Sequence, residues 1–198
     1  SLRLMSLINS TAIPSGATDY ELEQSLRFNQ PDDATLSKTF ASAGNRRTWT
    51  FSCWAKIGNA NAESGNQLGI FGTYTNGNDT ANIQVDGTSG EFHFEDYSGS
   101  YNALQVTEAK LRDMGAWYHF MVVFDTTQGT AANRVKLYVN GTQMTTKTGG
   151  NNGYPDQNFE GKFNNTAEHK IGMVNGTYCW DGYLGEVHFI DGTAKAPT

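Results

Sequence analysis

The stretch from residue 117 to residue 144 limits the fold more than any other. Trp117–Asp125 and residues 134–141 both read as strands, with a polar loop between them. In the first, Tyr118, Phe120, Val122 and Phe124 alternate with Trp117, His119, Met121 and Val123, so both faces are apolar enough to be covered. That pattern predicts a central strand. In the second, Val135, Leu137 and Val139 alternate with Lys136, Tyr138 and Asn140, the pattern of a strand buried on one face and wet on the other. Asn140-Gly141 tolerates positive φ at both positions and predicts a type I′ turn into residues 142–146. A covered strand beside half-wet neighbours, joined by tight turns, calls for an antiparallel sheet packed on a second layer.

The remaining segments repeat the motif. Residues 25–29 and 34–40 flank the turn Gln30-Pro31-Asp32-Asp33, and residues 48–57 place Trp49, Phe51, Cys53, Ala55 and Ile57 on one side. Residues 67–74, 81–86, 91–96 and 103–107 follow as strands separated by Asn76-Gly77, Asp86-Gly87 and Ser98-Gly99. Residues 110–114 read as a helical turn, residues 149–165 as a long loop rich in Asn and Gly, and residues 168–174 and 181–191 as closing strands. Short strands at even spacing with glycine turns predict an all-β sandwich or barrel. The 22 glycines, the four prolines and the 12% aromatic content agree with that class, and 198 residues are enough for one such domain without disulfides. Residues 1–24 alternate poorly and read as an arm or linker, or as an extra edge strand. Their Leu2, Leu4, Leu7 and Ile8 would need a partner surface on a neighbouring subunit or a larger assembly.

Charge and motif content exclude several functions. A net charge of −6 with scattered Lys and Arg leaves no basic face for phosphates, so nucleic acid is not an expected partner. No apolar run approaches the roughly 20 residues that span a bilayer, and no signal-peptide pattern opens the chain. Cys53 is in phase with the core residues of its strand, and a bridge to Cys179 requires the fold to bring the two together. Asn-x-Ser/Thr sequons begin at Asn9, Asn78, Asn140, Asn164 and Asn175, as chance allows in an Asn- and Thr-rich chain. His93, His119, His169 and His188 lack zinc-ligand spacing, and no nucleophile elbow or phosphate loop occurs.

The ordered set 25–29, Trp49-Thr-Phe-Ser-Cys-Trp54, Trp117-Tyr-His-Phe to Asp125, 134–141, Ile171-Gly172 and Gly182-Tyr-Leu-Gly-Glu-Val-His-Phe resembles a laminin G-like domain of the concanavalin A-like lectin/glucanase superfamily. The resemblance covers nearly all of residues 25–198. It implies a jelly-roll of two antiparallel sheets in which Trp117, His119 and Asp125 are structural and Asn140-Gly141 is the hairpin turn. The wording of Ala43-Gly-Asn-Arg-Arg-Thr-Trp49 and Glu186-Val-His-Phe-Ile-Asp-Gly192 is similar to such domains in virion proteins of tailed bacteriophages. That similarity implies an external part of a phage particle: a tail fibre, knob or capsid decoration. Related phage sequences tend to continue past Asp191-Gly192.

Glu91-Phe-His-Phe-Glu95 is the most enzyme-like feature, because alternation puts Glu91, His93 and Glu95 on one face. Some glucanases of the superfamily carry Glu-x-Asp-x-x-Glu there. Here the central Asp is His and the two glutamates are four positions apart, about 13 Å along an extended strand, whereas a retaining pair needs roughly 5 Å. A solvated strand face is the expected state. No cofactor or metal is expected; relatives in the resembled family often hold calcium, for which Asp32, Asp33, Asp79, Asp96 and Asp181 are the candidate oxygen donors, with ordinary turn-forming aspartates as the favoured alternative. For a glycan, loop aromatics are the relevant residues, because sugar rings stack on aromatic faces while amides and carboxylates bond hydroxyls. Tyr74, Tyr97, Tyr101, Tyr154, Tyr178 and Trp180 all lie in or near Asn-, Asp- and Gly-rich turns.

The expected function is a non-enzymatic structural or adhesion domain on a virion exterior, attached through residues 1–24, with other virion proteins and further copies of itself as partners. The second reading is a lectin for host surface polysaccharide. Glycoside hydrolysis ranks last.

Overall fold

The computed structural model describes residues 22–60, 67–113 and 115–197. Its strands are β1 (Leu26–Phe28), β2 (Leu36–Thr39), β3 (Thr48–Ile57), β4 (Gln67–Asn76), β5 (Asp79–Asp86), β6 (Glu91–Tyr97) and β7 (Tyr101–Lys110). They continue as β8 (Trp117–Asp125), β9 (Val135–Val139), β10 (Thr142–Gln143), β11 (Glu168–Ile171), β12 (Met173–Val174), β13 (Tyr178–Cys179) and β14 (Gly182–Asp191). Two six-stranded sheets result, ordered β1-β14-β3-β8-β9-β10 and β2-β11-β4-β5-β6-β7, with all pairs antiparallel. β12 and β13 form a separate hairpin.

The alternation in the sequence becomes the dry layer between the sheets. From the first sheet Trp49, Phe51, Cys53, Phe120, Val122, Phe124 and Leu137 point inward, and from the second Ile83, Val85, Phe92 and Phe94 meet them. Trp49 is the hub: its ring stacks on Phe124 at 4.8 Å and meets Phe163 edge-on at 5.5 Å. The central strand is β8, held between β3 and β9, and its second face buries Met121 and Val123 against Tyr138. The Asn140-Gly141 turn has positive φ at both residues, as its sequence predicts.

Several expectations change. Lys110 ends β7, so no helical turn forms over 110–113; the short helices among the described residues are single 3-10 turns at Gln30–Asp32 and Ala131–Asn133. The long loop is pinned along its length. Gly153 pairs with Leu104, the Thr126 hydroxyl donates to the Phe159 carbonyl, the Lys162 N–H donates to Asp96, and Phe163 enters the core. Cys53 is a buried core thiol and Cys179 bonds Asp33, so both are free and no bridge forms. Burial raises both thiols, that of Cys179 to about 11. The first 21 residues of the segment read as an arm, residues 1–24, lie outside the described residues.

Candidate functional site

The outward face of the second sheet carries a groove of about 340 Å³. Cross-strand register builds it. Tyr74 on β4 pairs with Thr80 on β5, Thr80 with Tyr97 on β6, and Tyr97 with Tyr101 on β7, so four residues from four strands form one row. The next row inward is Gly72, Asn82, Glu95 and Leu104. Directly paired residues share a face, so Glu95 and the tyrosines open to the same side, away from Ile83 and Phe94.

The β12–β13 hairpin supplies the opposite wall. It lies flat on β4 because Gly69 and Gly72 have no side chains: a Cβ on Gly69 would meet the Tyr178 carbonyl oxygen at 2.4 Å, and one on Gly72 the Val174 Cα at 2.9 Å. Seated there, the hairpin turns Asn175, Thr177 and Tyr178 toward Thr80 and Glu95. The Thr80 hydroxyl lies 2.8 Å from Asn175 Oδ1 and 3.1 Å from Asn82 Oδ1, and the Asn82 amide donates to Glu95 Oε1. Tyr97 and Tyr101 meet edge to face at 5.1 Å, and Tyr74 and Tyr101 remain 43% and 39% exposed. The result is a polar floor under aromatic edges.

Glu95 is buried, which corrects the expected solvated strand face. Burial raises its carboxyl above the ordinary value; the Asn82 bond opposes this, and the neighbouring Asp96 charge adds to it. The Tyr101 hydroxyl is raised by burial and by the Glu95 charge. At the other end of β6, Glu91 is also buried, with Lys147 Nζ at 2.7 Å and Lys110 Nζ and His93 Nε2 each at 3.9 Å. Burial is the largest single influence and would raise the Glu91 carboxyl, but Lys147, Ser89 and Lys110 together outweigh it and the carboxyl lies below the usual range. Burial lowers His93. The two glutamates therefore occupy opposite electrostatic settings, and within the groove lining Glu95 is the one carboxyl group.

Of the aromatics singled out in the sequence, Tyr74, Tyr97, Tyr101 and Tyr178 line this groove together. Tyr154 does not; it sits beside Gly153 on the loop pinned to Leu104. Trp180 is fully buried with its ring in the core, so it presents no face to a ligand. Thr80, Asn82 and Asn175 are not singled out as site residues by the sequence, and Glu95 is raised there only as part of the enzyme-like strand and set aside as a solvated face. Their positions next to turns and in alternation with core residues are visible in the sequence, but the register that gathers them is not.

The calcium candidates are dispersed. Asp32 accepts from the Asn29 amide, Asp33 from the Cys179 thiol, and Asp96 from Asn102 and the Lys162 N–H, while Asp79 pairs with Lys162 and Asp181 with Arg27. No three His, Cys, Asp or Glu side chains among the described residues are grouped to hold a metal ion. No helix among them is long and apolar enough to cross a membrane.

A family model described as concanavalin A-like lectin/glucanases superfamily matches residues 29–197. The chain belongs to this superfamily. No curated protein matches it. Among solved structures, this laminin G-like domain is similar to domain 4 of AbnA, an extracellular arabinanase from Geobacillus stearothermophilus, in complex with arabinotriose. The identity is 18%, the TM-score 0.57, and the match covers 78% of this chain and 65% of that one. The sialidase CBM40 of Ruminococcus gnavus gives 14% identity and a TM-score of 0.53, covering 80% and 91%. Domains LG4-5 of the mouse laminin alpha1 chain give 9% and 0.55, covering 84% and 41%. These likenesses establish the jelly-roll fold.

Proposed function

We propose that this laminin G-like domain is a non-catalytic carbohydrate-binding module and that the tyrosine-rimmed groove is its binding site. The observation that carries this reading is the single row Tyr74, Thr80, Tyr97 and Tyr101 standing over Glu95 and Asn82 and facing Tyr178. Exposed aromatic faces beside fixed amide, hydroxyl and carboxyl groups are what a pyranose or furanose ring requires. Hydrolysis needs a second carboxyl group in the groove, and the lining supplies none. The arabinotriose named as bound to the arabinanase domain gives the reading further support.

The setting we propose is the outside of a tailed-phage particle, where host polysaccharide would be the ligand and residues 1–24 the attachment arm. The similarity of Ala43–Trp49 and Glu186–Gly192 to virion domains supports it. Titration calorimetry against a panel of oligosaccharides and polysaccharides tests the binding site. Binding without release of reducing ends, lost in Tyr101→Ala combined with Tyr178→Ala, is the expected result. Undiminished binding in that double variant would move the site elsewhere. Immunogold labelling of intact particles tests the setting.

A further inference from the structure

The groove has a charge problem that its hydrogen bonds do not solve. Glu95 is 8% exposed and its bonded partner is the neutral amide of Asn82. None of the residues lining the groove is Lys, Arg or His. The nearby Lys162 is committed to Asp79, and Lys147 and Lys110 gather around Glu91 at the other end of the strand. A glutamine would accept the same bond from Asn82 without the cost of burying charge, so packing alone does not call for a carboxylate at position 95. The negative charge has meaning for what enters the groove.

We propose that Glu95 is a specificity-determining residue that admits neutral and amine-bearing sugars and rejects acidic ones. The inference rests on the carbohydrate reading above. An incoming uronate or sialate carboxylate would face a like charge in a site partly shielded from water, with no cation to offset either group. A hydroxyl can donate to Glu95, and a sugar ammonium can donate and neutralise it, with the tyrosine faces adding cation–π attraction. Tyr97 and Tyr101 flank this point, their rings edge to face at 5.1 Å.

The test uses matched oligosaccharides that differ by one group: galacto-oligosaccharides against oligogalacturonates, and chitin against chitosan oligomers. Titrations are run at low salt and at about 0.5 M salt, where the Debye length is a few ångströms and the overall charge of the protein is screened. The wild-type protein is expected to bind the acidic member at least about tenfold more weakly than its neutral counterpart at both salt concentrations. In Glu95→Gln, checked for folding by its melting curve, that gap closes. The proposal fails if the wild type binds both members equally, if the gap disappears at high salt, or if Glu95→Gln keeps it. Binding of acidic and neutral members alike leaves the carbohydrate site standing and removes only the charge filter. Binding of no glycan at all removes both.

Discussion

Asn82 and Glu95 face each other across β5 and β6, and the Asn82 amide donates to the Glu95 carboxylate within a buried setting. The folded state holds the Glu95 proton more tightly than the unfolded chain does, because burial raises its carboxyl. A raised carboxyl contributes stability that is present below the unfolded value of about 4.3 and is lost as pH rises through the folded value. Glu95→Gln is therefore expected to raise the melting temperature at neutral pH and to leave it unchanged at about pH 3, where both side chains are uncharged. Melting curves at the two pH values check the sign. An equal shift at both would mean that charge is not the cause.

Glu91 has the opposite dependence. Its carboxyl lies below the usual range because Lys147, with Ser89 and Lys110, outweighs the effect of burial. It contributes stability above the unfolded value of about 4.3 that is lost as pH falls through the lower folded value. Lys147→Ala removes the 2.7 Å contact and is expected to cost about 1–3 kcal/mol at neutral pH, and less in acid. Urea titrations at the two pH values measure it.

Tyr101→Ala should separate binding from folding. The side chain is 39% exposed and meets Tyr97 edge to face. Stability is expected to change by about 0.5 kcal/mol or less, while loss of one aromatic face should weaken a glycan by about 0.5–1.5 kcal/mol. Calorimetry with the same ligand on both proteins decides it.

Trp180→Ala should do the reverse. The indole is fully buried in the core, so truncation is expected to destabilise the fold by about 3–5 kcal/mol. Any ligand affinity lost should track the unfolded fraction, which denaturant titration reports.

Gly69→Ala tests how the hairpin shapes the groove. Its Cβ would clash with the Tyr178 carbonyl and the Val174 N–H, neither of which is the tip of a flexible side chain. A cost of about 1–3 kcal/mol is expected, together with weakened glycan binding as Asn175 and Tyr178 shift. Retained affinity in a folded Gly69→Ala protein would show that the hairpin does not set the geometry.

The fold was largely legible because its signal is local. Alternation in Thr48–Ile57 and Trp117–Asp125 marks the inward faces, and Asn140-Gly141 marks its turn. The site was half legible. Tyrosines near turns are visible one by one, yet only pairing between β4, β5, β6 and β7 puts Tyr74, Tyr97 and Tyr101 in one row. Trp180 misled because a turn-rich neighbourhood does not reveal which way a side chain faces, and Glu91 and Glu95 misled because alternation identifies a face without saying what covers it. The cover comes from Lys147 and from the β12–β13 hairpin, both far away in sequence.

The alternation along β5 and β6 divides their residues between two duties. Ile83 and Phe94 answer to the interior, while Thr80, Glu95 and Tyr97, interleaved with them, answer to whatever arrives from outside. Recognition can thus be rewritten at the outward positions while the inward ones keep the sandwich intact. A combinatorial library confined to the outward set would explore new ligands on an unaltered scaffold.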